Sequence, residues 1–218
     1  MKKKYILTDD VIDFNSHTLH RIKAVRDFDC VKAGDLGGFI ESEKNLDHDG
    51  DAWVTGDARI FGDAVVSGAA VVTGDAVVTD SARVSGDAFV TDSARVSGAA
   101  VVSDSARVSG AAVVSGDARV SGAARVTGDA FVTDSARVSG AAVVSGAADF
   151  AVIRGFGRVF RTTTFFRCKD NLVRCQCGCF YGTVDEFRSK VRETHGSSKY
   201  AKEYLMIADL MELHFKED

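Results

Sequence analysis

Between Gly50 and Ser145 the apolar positions of this chain keep one short rhythm. A six-residue phrase of the form Gly-Asp-Ala-x-Val-Ser recurs sixteen times without a gap. Its third residue is Ala in every copy, from Ala52 to Ala142, and its fifth is Val except at Ile60. Alternate residues of a strand point to opposite faces, so Ala64 and Val66 point inward while Val65 points out. A fixed period of this kind predicts a parallel β-helix in which each hexad gives one short strand and one corner. Three hexads, about eighteen residues, close a triangular coil.

The corners fall on Gly-Asp, Asp-Ser and Gly-Ala pairs. Glycine reaches positive φ there without steric cost, and Asp or Ser can bond the turn backbone. The chain has no proline, so no rung lacks an N–H for the ladder. A single coil is not stable by itself. Ordering each residue costs roughly 1–2 kcal/mol and each buried Val returns roughly 1.5–3 kcal/mol. Stability must come from stacking, as in any solenoid. Sixteen hexads make five coils and a third, a prism about 25 Å tall at strand spacing.

The expected organisation has three parts: a capping segment at 1–49, the β-helix at 50–151 and an α/β unit at 152–218. Each end of a β-helix exposes an unpaired strand edge that has to be covered. In the first part, Lys4–Leu7 and Leu19–Val25 read as β-like, Gly34 to Gly38 as a turn, and Phe39, Ile40 and Leu46 as an apolar plug. In the last part, Thr162–Arg167 and Leu172–Cys177 read as a hairpin around Lys169-Asp170-Asn171. Thr183 with Glu186 forms a capping box that opens a helix ending near Gly196. A second helix from about Lys199 carries Tyr204, Ile207, Leu210, Met211 and Phe215 on one face. The unit is expected to be ββαα.

The fourth position of each hexad faces outward, and every third hexad stacks on the same wall. The first wall reads Trp53, Val71, Phe89, Arg107, Arg125, Val143. The second reads Arg59, Val77, Arg95, Val113, Phe131, and the third Val65, Arg83, Val101, Arg119, Arg137. Trp53, Val71 and Phe89 form an apolar stripe too large to leave wet, so they are the expected oligomer interface. For the arginines two readings stand. They pair with corner aspartates of adjacent coils while their stems cover apolar surface, or they present guanidinium groups to a phosphate or carboxylate ligand.

Charge adds little pull of its own. The net charge is −4, with seven Arg and twelve Asp in residues 50–151. That gives no global attraction to nucleic acid or to acidic membranes. The opening residues are basic without an apolar run of signal-peptide length, and no stretch is long enough to span a membrane. Five cysteines, three of them at 175, 177 and 179, suit reduced thiols in a cytoplasm better than a disulfide framework. With Cys168 nearby they could hold a metal, but the spacing is not that of a structural zinc site, so no metal and no cofactor are expected. No histidine falls inside the repeat; the five are His17, His20, His48, His195 and His214. His48, beside the first coil, is the one candidate for a general base.

The run Phe39-Ile-Glu-Ser-Glu-Lys-Asn-Leu, then Gly-Asp-Ala-Trp-Val at 50–54 and Gly-Asp-Ala-Arg at 56–59, resembles the left-handed β-helix proteins of the YdcK type, found in bacteria and phages. The tail Cys177-Gly-Cys-Phe-Tyr-Gly-Thr is similar to tails of some phage members. The resemblance implies left-handed coiling and a homotrimer. It also implies a comparison with acyltransferases of the same fold, although fold does not carry function with it. In such a trimer Arg107, Arg125, Arg119 and Arg137 would sit near clefts between prisms. The expected function is a non-catalytic binding module holding a small anionic ligand or signalling nucleotide. For a phage-type member this would be a counter-defence sponge. An acyl-CoA-dependent acyltransferase and a scaffold that binds a protein through its caps are the alternatives.

Overall fold

The computed structural model describes residues 3–216. Three strands come first: β1 (Tyr5–Phe14), β2 (His17–Ala24) and β3 (Leu36–Ile40). The sixteen hexads follow as two-residue strands, β4 (Trp53–Val54) to β19 (Val143–Val144). Each pairs in parallel with the strand one coil on, as in Trp53↔Val71, Arg59↔Val77 and Val65↔Arg83. The three walls are therefore the ones expected from the period of six. Ala and Val at the third and fifth positions fill the interior, and none of Ala52 to Val144 at these positions is more than 1% exposed.

The corner residue is left-handed throughout. Gly68 has φ +72°, and Asp80, Asp92, Asp104 and Asp134 take the same turn at φ +57° to +61°. Asp tolerates this region better than most residues because its short side chain bonds locally.

The stack starts earlier than Gly50. Phe39 and Ile40 pair with Arg59 and Ile60, and Leu46 bridges Val66. These upstream rungs bring the parallel solenoid to about six turns. Ile40 and Leu46 enter the interior, as a plug should. Phe39 instead faces out and joins Leu19, Phe61 and Val77 in a separate cluster. The expected turn at 34–38 is shorter, because Leu36 already begins β3. β1 and β2 form an antiparallel hairpin whose inner side covers that cluster through Ile12 and Phe14.

A parallel stack is polar. Its backbone N–H groups bond carbonyls one coil later, as Trp53 N–H does to Ala70 O at 2.9 Å. The first coil is left with free carbonyls and the last with free N–H groups, each costly to bury unpaired. The N-terminal segment supplies donors. Phe39 and Glu41 N–H bond Ala58 O and Ile60 O at 2.9 and 3.0 Å. Asn45 Nδ2 donates to Gly62 O and Ala64 O at 3.0 and 2.9 Å, and Lys4 Nζ to Ala52 O and Gly50 O at 2.8 and 3.3 Å. The C-terminal unit, with Asp149 just before it, supplies acceptors. Thr164 Oγ1 takes the Arg137 N–H at 3.1 Å and Asp149 Oδ2 takes the Ser145 N–H at 3.0 Å.

That unit is a four-stranded antiparallel sheet with two helices. The strands are β20 (Phe150–Phe156), β21 (Arg161–Arg167), β22 (Val173–Cys177) and β23 (Phe180–Thr183). The central hairpin is the one expected; the outer strands are additional. α1 (Val184–His195) opens on the Thr183–Glu186 capping box and closes at Gly196, and α2 (Lys199–His214) follows. Both faces of β21 are buried. Phe166 points into the solenoid interior, while Phe165 packs with Phe187, Tyr204 and Met211 of the helices. Tyr204, Ile207, Met211 and Phe215 are buried as expected, but Leu210 is exposed. It lies three residues on from Ile207 at the edge of the apolar stripe, and Ala208 takes the packing position instead. Among the described residues no helix is long and apolar enough to cross a membrane.

Candidate functional site

The outward position of each rung projects from a two-residue strand whose inner neighbours are locked by stacking, so its direction is fixed by the coil. On the first wall Arg107 pairs in register with Arg125, and on the third Arg119 pairs with Arg137. Because hexads pass from the third wall to the first, all four flank one vertical edge of the prism, at the corners Ser103-Asp104-Ser105 and Ser121-Gly122-Ala123. All four side chains are exposed. Neighbouring like charges in a sheet repel, so each pair is held at a cost.

The corner aspartates do not relieve that cost. Asp80, Asp92 and Asp104 each turn Oδ2 onto the N–H of the glycine one coil on, Gly98, Gly110 and Gly122, at 2.9 Å. Among the described residues no ion pair joins Arg83, Arg95, Arg107, Arg119, Arg125 or Arg137 to a carboxylate. Arg107 has one partner, the Phe89 ring, at 5.9 Å from its centroid. Local charge pairing, one of the two readings of these arginines, is thus absent among the described residues.

The apolar stripe on the first wall is shorter than its sequence suggests. Trp53 is covered by its own chain: Phe28 packs edge-on at 5.4 Å and Tyr5 at 6.5 Å, leaving it 6% exposed. Val71 and Phe89 remain half-buried and open to a neighbour. Sequence reasoning missed this cover because Phe28 and Tyr5 reach the wall from segments with no repeat.

His48 is enclosed in the N-terminal cap. Its ring stacks on Tyr5 at 4.3 Å, and Nδ1 accepts the Lys4 backbone N–H at 3.3 Å. Nε2 is buried without a hydrogen bond, 3.7 Å from Glu43. With one nitrogen engaged and the other enclosed, His48 has no lone pair open to a substrate, as a general base requires.

Cys175 and Cys177 share the helix-side face of β22, but Cys179 does not join them. Cys175 is buried in β22, Cys177 is half-buried at its end, and Cys179 is exposed in the turn to β23. β22 stops at Cys177 because Gly178 takes a left-handed φ of +63°, which swings Cys179 off the strand. Cys168 is buried on the solenoid side. Burial pushes the Cys175 and Cys168 thiols up, which keeps them protonated and inert. Among the described residues no three His, Cys, Asp or Glu side chains group to hold a metal.

The sequence model of the YdcK β-solenoid repeat matches residues 58–74 and 82–98. Each matched stretch covers three successive strands, one full coil of the prism, β5 (Arg59–Ile60) to β7 (Val71–Val72) and β9 (Arg83–Val84) to β11 (Arg95–Val96). A search of curated proteins finds no match to this chain.

Proposed function

From a solenoid built of YdcK-type repeats, we propose a non-catalytic binding module: a homotrimer of left-handed prisms that sequesters a small anion between subunits. The observation that carries this reading is the stacking of Arg107 on Arg125 and Arg119 on Arg137 with no carboxylate partner among the described residues. Guanidinium groups borne on a fixed row of strands suit phosphate or carboxylate oxygens, which they bind in bidentate fashion. A ligand of that charge relieves the repulsion within each pair. The half-buried Val71 and Phe89 lie on the same wall directly below Arg107, so a subunit seated on them brings its own arginine edge close. A cyclic or linear signalling nucleotide fits this chemistry, and for a phage-type protein its capture would act as a sponge.

Calorimetry against a panel of mono- and cyclic nucleotides tests the reading. At least one should bind, and the Arg107→Ala/Arg125→Ala double variant should weaken it at least tenfold, the scale of one or two lost charge-assisted hydrogen bonds. Light scattering should report three chains per particle. Flat titrations across the panel, or a monomer at micromolar concentration, would remove the proposal.

A further inference from the structure

Among the clefts of the C-terminal unit, three differ in charge in a way that assigns one of them. In the cleft beside Leu213 and Asp209, Arg188 is saturated: its guanidinium bonds Asp185 at 3.0 Å, Asp209 at 2.8 Å and Glu212 at 2.5 Å. The shallow cleft beside Glu186 and Glu193 is acidic. The third, about 350 Å³, lies between the β20–β21 turn, the β22–β23 turn and α1. Its cationic lining is Arg158, Arg161 and Lys190, and no carboxylate lines it.

Neither arginine of this cleft has an ion-pair partner among the described residues. Lys190 is held by Glu193 at 3.0 Å. Glu203, next in the chain to the lining residue Tyr204, is engaged by the Gly157 N–H at 3.0 Å and by Lys199 at 3.6 Å. The walls behind the cations are apolar and aromatic: Val159, Phe180, Phe187 and Val191, with the His195 ring stacked on Tyr204 at 5.8 Å.

Two glycines build this geometry. A side chain at Gly178 would collide with the Arg161 guanidinium, which lies across the β22–β23 turn, and one at Gly157 would collide with the Tyr204 hydroxyl. Both residues have left-handed φ, +63° and +73°. Burial, and then the Cys177 thiol beside it, pushes Tyr204 up to about 12, so its hydroxyl stays a neutral donor and adds no negative charge to the cleft.

We propose that this cleft is a binding site for a small anion with an aromatic or branched apolar body, its charged group held by Arg158 and Arg161. A pocket of a few hundred Å³ with apolar walls and a few convergent polar groups is the usual form of a small-molecule site. The apolar body would lie on Phe180, Phe187 and the His195–Tyr204 stack. Cys177 and Cys179, both in the lining, report its occupancy.

Phenyl phosphate is the probe, titrated calorimetrically into the full chain, with inorganic phosphate and phenol as partial mimics. Phenyl phosphate should saturate at one per chain and bind at least tenfold more tightly than either mimic. The Arg158→Ala/Arg161→Ala double variant should weaken it at least tenfold. Arg107→Ala/Arg125→Ala should leave it unchanged, which separates this cleft from the prism walls. Saturating probe should also slow alkylation of Cys179 by iodoacetamide several-fold. Absence of saturable binding, or binding that survives loss of both cleft arginines with no protection of Cys179, overturns the assignment.

Discussion

Lys4 shows how one side chain can finish a solenoid. It is fully buried, and its ammonium is spent on two carbonyls of the first coil. Burial is the main reason its proton is held less tightly, down to about 8 from the usual 10.5, with Asp47 and Asp51 opposing. Between those values the unfolded chain binds the proton and the folded chain releases it, so this residue's contribution to stability rises with pH. The advantage of the natural chain over Lys4→Met should therefore grow by about 1–2 kcal/mol from pH 7.5 to 9.5. Chemical denaturation at the two pH values measures it; a constant difference would mean that Lys4 is not desolvated.

Corner glycines give a second residue-scale expectation. Gly68 stands between Gly50 and Gly86 in its column, at φ +72°, and an added Cβ would lie 3.0 Å from Gly86 N. Asp occupies the equivalent place in other rungs and bonds the next N–H. Gly68→Val should cost about 1–3 kcal/mol of backbone strain, whereas Gly68→Asp should cost clearly less. Equal losses by thermal melting would show that the Asp carboxylates contribute nothing to the stack.

At the scale of elements, β21 joins two cores. Phe166 and Phe165 are both fully buried, yet one closes the solenoid and the other roofs the helices. Each Phe→Ala change should cost about 3–5 kcal/mol, but hydrogen exchange should tell them apart. Phe166→Ala should expose amides of the last rungs, residues 137–145, and Phe165→Ala those of α1. Loss of protection in the same amides for both would make the two cores one cooperative unit.

What could be read from the chain follows the same division. The rungs β4 to β19 were legible because Ala holds one inner position in every copy and Val the other in all but Ile60. β20 was not: Phe150 and Val152 lie against the solenoid core and Ala151 and Ile153 against the helix core, so no polar alternation marks it. β1 was blurred by a register shift between Leu7 and Val11. The arginine walls were visible as positions, but the fate of the corner aspartates was not. Their partners lie one coil away in space, and neighbours in sequence say nothing about them. The cleft at Arg158 and Arg161 left no trace, since it draws on two turns and a helix with no shared motif.

The whole molecule is a directional rod with unlike ends, donors at one and acceptors at the other. Its wall pattern depends on counting. Because consecutive hexads step from one side of the triangle to the next, the stack behaves like a three-letter reading frame. Loss of a single hexad between Phe89 and Arg107 would carry every later outward residue to the adjacent side, breaking the alignment of Arg107 and Arg125 with the Val71–Phe89 strip. Loss or gain of three hexads would restore it, only shortening or lengthening the rod. Such a chain can change length freely in whole coils while its surface script stays in phase.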